Sequence, residues 1–67
     1  MRIELRVAKN IRKQRTLRGW SQEALAHAAD LHRAYIGQID RGEKSIGVKN
    51  LEIIAKALSV KMSDLLK

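Results

Sequence analysis

Four residues, Ala26, Leu31, Ile36 and Ile39, constrain this chain more than any other feature of it. Two short helices that cross steeply through a three- or four-residue turn have three requirements. The first helix needs a small residue at the crossing, the turn needs one apolar plug, and the second helix needs an apolar pair at i, i+3. Ala26 is the small residue, Leu31 the plug, and Ile36 with Ile39 the pair. Because these separate demands are met together, they predict a helix-turn-helix over about residues 22–41.

The flanking punctuation agrees. Ser21 is a good N-cap, and Glu23 places a negative charge in the first turn of an alanine-rich helix reaching Ala29. Asp30 and Leu31 form the turn, the next helix runs from about His32 to Arg41, and Gly42 closes it. "GEKSIG" is a charged loop with glycine at both ends. Upstream, Val7 and Ile11 sit one turn apart in a helix from Ile3 to Arg18 that Gly19 stops, although Gln14 and Arg15 interrupt its apolar stripe. Downstream, Leu51, Ile54, Ala55 and Leu58 recur at i, i+3, i+4 and i+7, and "KMSDLLK" adds a closing turn with Met62 and Leu65 inward. The C-terminal helices thus span about residues 48–66. The expectation is an all-α fold of five helices and no strand. Without proline, repeats or low-complexity tracts, a single domain over residues 1–67 is expected.

Charge narrows the function. Lys and Arg number 14 against 7 Asp and Glu, a net charge of +7 that repels itself in the compact state and points to a polyanionic partner. Nucleic acid ranks ahead of an anionic membrane surface. Trp20 and Tyr35 are the only aromatics, too few to stack successive bases of a single strand, so duplex DNA is the expected target. Trp20, beside Gly19 at a helix junction, reads as a half-buried packing residue. With no cysteine, neither a disulfide framework nor a thiolate metal site is available, and stability must come from packing. His27 and His32 lack the companion ligands zinc needs and read as surface or capping residues; no metal and no cofactor are expected. Ser21 is a cap with no base placed to activate it, and no cluster of acid, base or nucleophile stands out, so the chain does not read as an enzyme. The opening "MRIELRVAKN" interleaves charge with apolar residues, unlike a signal peptide, and no run approaches the roughly 18 apolar residues of a spanning helix. A cytoplasmic location and no membrane partner are expected.

The stretch "GWSQEALAHAADLHRAYIGQIDRGEKSIGVKNLEIIAKALSVKMSDLL" resembles the DNA-binding domain of the Cro/repressor, or XRE-like, helix-turn-helix family, and the likeness covers nearly everything after Val7. Within that family, "LHRAYIGQIDRG" followed by "NLEIIAKALSV" is similar to small stand-alone regulators, including controller proteins of restriction-modification operons. The resemblance implies a compact lambda-repressor-like domain with the third helix as recognition helix. Helical geometry agrees: with Ile36 and Ile39 inward, the opposite face carries Arg33, Ala34, Gly37, Gln38 and Arg41. Small residues at Ala34 and Gly37 let the helix sit deep in the major groove. There Arg33 can bind guanine bidentately, Gln38 adenine, and Ala34 a thymine methyl. The resemblance further implies that Gln22 binds phosphate and braces the recognition helix, that His32, Tyr35, Arg41, Lys44 and Ser45 contact the DNA backbone, and that Arg15 and Asp40 form a partly buried structural ion pair. Such backbone contacts fix register without reading sequence. The basic run from Arg12 to Arg18 fits a solvated face as well as a DNA-facing one.

Three positions depart from the family pattern: Asp30 replaces the usual turn glycine, Ala34 a serine or threonine, and "SIGVKN" lacks the proline before the fourth helix. Asp30 must enter the left-handed region, where aspartate is tolerated better than most residues.

Two function classes follow. The first is a sequence-specific transcriptional regulator, a homodimer on a pseudo-palindromic operator, paired near the fourth and fifth helices with Ile53 and Leu66 as interface residues. The second is a protein-interaction module of the same fold, such as an antitoxin. No small-molecule pocket is evident.

Overall fold

The computed structural model describes residues 2–67, and in them five helices follow in the expected order: α1 (Ile3–Leu17), α2 (Gln22–Ala29), α3 (Arg33–Asp40), α4 (Val48–Leu58) and α5 (Met62–Leu65). No strand occurs among the described residues. α2 packs on α3 and α4, α1 on α3 and α5, and α4 on α5. Every helix sends at least one large side chain to the centre: Ile11, Leu25, Ile36, Ile54, Leu58 and Leu65 are each under 2% exposed. Truncating such a residue to alanine costs about 2–5 kcal/mol. That is a large share of the roughly 3–10 kcal/mol that a domain of this length commands in total. Ala26 and Ala29 are buried on α2, while Leu31 packs half-buried against the same core.

Four helices end with one device. After α1, the Gly19 amide donates to Thr16 and the Trp20 amide to Arg15; after α2, Asp30 donates to His27 and Leu31 to Ala26. α3 repeats the pattern through Gly42 to Ile39 and Glu43 to Gln38, and α4 through Ser59 to Lys56 and Val60 to Ala55. Each pair satisfies carbonyls the helix would otherwise orphan, and each needs one residue in the left-handed conformation. Gly19 (φ 68) and Gly42 (φ 70) adopt it freely, whereas Asp30 (φ 54) and Ser59 (φ 58) carry a Cβ there. The left-handed conformation expected at Asp30 thus has a second instance at Ser59.

The ends of α1 and α3 fall one residue inside the predicted bounds because Arg18, His32 and Arg41 are caps rather than helical residues. His32 Nδ1 accepts from the Ala34 amide at 3.1 Å, a side-chain cap made by imidazole where serine or aspartate is usual. Ser21 caps α2 through the Ala24 amide at 3.0 Å. Arg18 donates to the Leu58 carbonyl at the end of α4, tying α1 to α4. No helix of the described residues is long and apolar enough to cross a membrane.

Candidate nucleic-acid interface

The first turn of α2 and the outer face of α3 border an open depression of about 580 Å³. Arg33, Ala34, Gly37, Gln38 and Arg41 line it from α3 and its cap, and Ser21, Gln22 and Glu23 line it from α2. Ala34 and Arg33 are exposed and Gln38 is half-buried, whereas Gly37 is buried. That burial corrects the expectation that Gly37 lies bare on the outer face. A Cβ at Gly37 would stand 3.2 Å from Arg41 Nη1 and 3.5 Å from Gln22 Oε1, so those two side chains cover the glycine from above. The glycine therefore serves first to let Arg41 fold back over the helix.

Asp40 anchors the scaffold beneath. It is 4% exposed, the only buried charged residue described, and three side chains converge on its carboxylate. Arg15 Nη2 lies 3.4 Å from Oδ1; Arg12 Nε at 3.2 Å and Gln22 Nε2 at 3.1 Å both donate to Oδ2. Arg12 Nη2 also donates to the Asp40 carbonyl at 2.8 Å, and Arg15 Nη1 to the Trp20 carbonyl at 2.8 Å. α1, α2 and the end of α3 are thereby fixed to one another at one point. A buried charge of this kind persists only when paired and hydrogen-bonded. Arg15 explains the break in the α1 stripe, since its guanidinium is the inward group. Arg12, three residues earlier on the same side of α1, completes the cluster, and sequence reasoning left it within an undivided basic run.

Both arginines that face the depression are held by carboxylates. Arg33 Nη1 pairs with Glu23 Oε1 at 2.7 Å, with each side chain about two-thirds exposed. Arg41 donates twice to Glu43, Nε to Oε2 at 2.8 Å and Nη2 to Oε1 at 3.1 Å. The hydrogen bonds from Arg41 hold the Glu43 carboxyl below its usual range, and Glu43 in turn raises Arg41. Pairs this exposed contribute little, so a guanine edge or a phosphate can take the place of either carboxylate at small cost. No sequence pattern marks Glu43 for this role, and Glu23 stands out in the sequence only as a favourable first-turn charge.

Tyr35 and Lys44 stand together on the flank, with Lys44 Nζ 5.5 Å from the ring centroid. The Tyr35 hydroxyl accepts from Asn50 Nδ2 at 3.0 Å, which ties α3 to α4. Ser45 is not brought to this face: its hydroxyl donates to Glu4 Oε2 at 3.1 Å. It lines instead a second depression, largely apolar and about 240 Å³, together with Ile3, Val48, Met62 and Leu66. Leu66 is 40% exposed there, while Ile53 is half-buried against the core and does not line it. No group of three or more His, Cys, Asp or Glu side chains that could hold a metal occurs among the described residues.

A helix-turn-helix family model, HTH_3, matches residues 11–65, a span that includes α2, α3, the buried Asp40 and the whole depression. The chain belongs to this helix-turn-helix family. Control protein C.SmaI of Serratia marcescens is 41% identical over 66 residues, covering 98% of this chain and 79% of the relative. Among solved structures, the hypothetical transcription factor NHTF from Neisseria superposes with a TM-score of 0.95 at 36% identity, covering 98% of this chain and 76% of that one. The restriction-modification controller protein C.Esp1396I, solved as a tetramer in complex with its natural 35 base-pair operator, superposes at 0.85 with 32% identity over 100% of this chain and 99% of that one. Within the helix-turn-helix family, then, this chain's likeness extends to small controller proteins.

Proposed function

We propose that this chain is a sequence-specific regulator of transcription that binds duplex DNA as a dimer, with α3 lying in the major groove. One observation carries the reading. Arg33, Gln38 and Arg41 stand around Ala34 and the covered backbone of Gly37, on a helix braced from behind through Asp40. Arg33 is suited to guanine and Gln38 to adenine, each good pair contributing about 1–3 kcal/mol of discrimination. Arg41, Lys44 and the N-terminal turn of α2 at Gln22 are suited to phosphate, which sets register.

A single module of this kind buries only about 600–1,000 Å² on DNA, so pairing across half-sites one helical turn apart brings affinity into a useful range. The apolar depression beside Leu66 supports dimer formation, with Ile3, Val48 and Met62 around it. A controller role in a restriction-modification operon is supported by likeness to C.SmaI and C.Esp1396I. The activity is binding without a catalytic step, and the site of action is the cytoplasm, where the operator lies.

The test is a titration with a duplex selected from random sequence, repeated over a range of salt. A regulator loses affinity steeply as salt rises, about 0.9 log units per log unit of salt for each phosphate neutralised, and binds the selected duplex at least a thousandfold tighter than a random one. Weak binding of equal strength to both duplexes would contradict the reading.

A further inference from the structure

We propose that the solvent face of α1 made by Arg6, Lys9, Lys13 and Leu17 is a docking surface for an acidic amphipathic helix of a partner protein, open while α3 occupies DNA. Only the last clause rests on the proposed function.

Arg6, Lys9 and Lys13 recur at intervals of three and four and so form one stripe, which Leu17 continues four residues later. Val7 and Ile11, on the opposite side of α1, are buried, and Arg12 with Arg15 points to Asp40 on α3. The stripe therefore faces away from both the core and the candidate DNA interface. Its three cations, with Asn10 and Lys67, line an open depression of about 620 Å³, and Leu17 lies on the same face beyond it.

Three features bear on what this stripe could hold. Among the described residues, no salt bridge engages Arg6, Lys9 or Lys13, a state they share with Arg18, Lys44, Lys49, Lys56 and Lys61, but only here do three such cations follow one another at three-to-four spacing along one helix face. Like charges at this spacing repel one another, and Arg6 stands close to the helix N-terminus, where the dipole disfavours a cation. Leu17 is 70% exposed at the end of the stripe and is not among the apolar residues packed against the core.

The leucine decides the occupant. A phosphate backbone complements three cations but has no use for an exposed apolar side chain beside them. An acidic helix offers carboxylates at the same three-to-four spacing and an apolar residue to cover Leu17. From Arg6 to Leu17 the stripe runs about 16 Å, three turns, which a partner segment of similar length can span.

The experiment uses a synthetic 16-residue helical peptide with glutamates at three-to-four spacing on one face and a leucine at the end of that face. A scrambled peptide of the same composition is the control, and binding is followed by amide chemical shifts of the whole chain. The expected result is perturbation confined to residues 6–17, retained in the presence of saturating selected duplex. Charge reversal by Lys9→Glu with Lys13→Glu should weaken the peptide at least tenfold, and Leu17→Ser should weaken it severalfold, both with unchanged melting temperature.

Four outcomes would overturn the proposal. They are perturbation at α3 that duplex abolishes, equal binding of the scrambled peptide, perturbation of residues 6–17 by duplex DNA itself, and loss of self-association in the charge-reversed variant. Peptide bound at α1 by a chain that fails to bind duplex would leave the docking surface standing and contradict the DNA reading alone.

Discussion

Gln22, the first residue of α2, donates its side-chain amide to Asp40 Oδ2 at 3.1 Å, so the last helical residue of α3 is held by the start of α2. The same carboxylate takes Arg12 and Arg15 from α1. The orientation of α3 is set at this point, which makes Asp40 the most consequential polar residue of the scaffold.

Asp40→Ala should cost about 3–5 kcal/mol, because it leaves the Arg15 guanidinium, 12% exposed, without its counter-charge. Arg12→Ala should cost about 1 kcal/mol or less, since that side chain is 55% exposed and returns easily to water. Urea unfolding of both variants measures the difference. Equal losses would mean that the carboxylate is not the point of convergence.

The two kinds of helix end predict opposite responses to glycine. Asp30→Gly relieves a Cβ at φ 54 and should stabilise by roughly 0.5–1 kcal/mol, a rise of a few degrees in melting temperature. Gly42→Ala should destabilise more than Gly19→Ala. Both glycines have positive φ, but a Cβ at Gly42 would stand 2.5 Å from Leu5 Cδ2 and one at Gly19 meets nothing within 4 Å.

At Gly37 stability and binding should part. The glycine lies inside α3 with an ordinary helical backbone, so Gly37→Ala should gain about 0.8–1.0 kcal/mol of helix propensity. The new methyl meets only the flexible ends of Arg41 and Gln22, at 3.2 and 3.5 Å. Displacing Arg41 and raising the floor of the depression should nevertheless weaken binding to the selected duplex severalfold. Thermal melting and anisotropy titration on the same sample check both halves of the expectation.

The Arg41–Glu43 pair carries a signature in pH. Glu43 is held below 4.5, first by its hydrogen bonds from Arg41, so its contribution is present above that value and is lost as pH falls through the lowered folded value. An NMR titration of the Glu43 carboxyl should give a midpoint below 4.5 that moves up toward it in Arg41→Ala. A midpoint indifferent to that substitution would place the cause elsewhere.

The helix-turn-helix was legible because packing two short helices at a steep angle leaves few choices, and Ala26, Leu31, Ile36 and Ile39 make all of them at once. The α4 stripe was legible for a similar reason: a helix with one buried face writes its period into the sequence. Exposed polar side chains write no such period. Arg12 and Lys13 are neighbours in one basic run, yet one reaches a buried carboxylate and the other reaches water. Ser45 turned to Glu4, forty-one residues away in the chain, and Asn50 met Tyr35 across two helices. Those partners depend on how loops close. Gly37 was placed on the correct helix face but read as bare, because helical periodicity gives the direction of a Cα and says nothing about a neighbouring arginine that folds back over it.

The central claim is that Arg33 reads a base from the outer face of α3. Selecting bound sites from random duplexes with the wild-type chain and with Arg33→Ala tests it most directly. The variant is expected to lose its preference at one base pair of each half-site and to keep the rest of the motif, while its affinity for random duplex changes little. An unchanged motif, with equal losses on selected and random duplex, would contradict it.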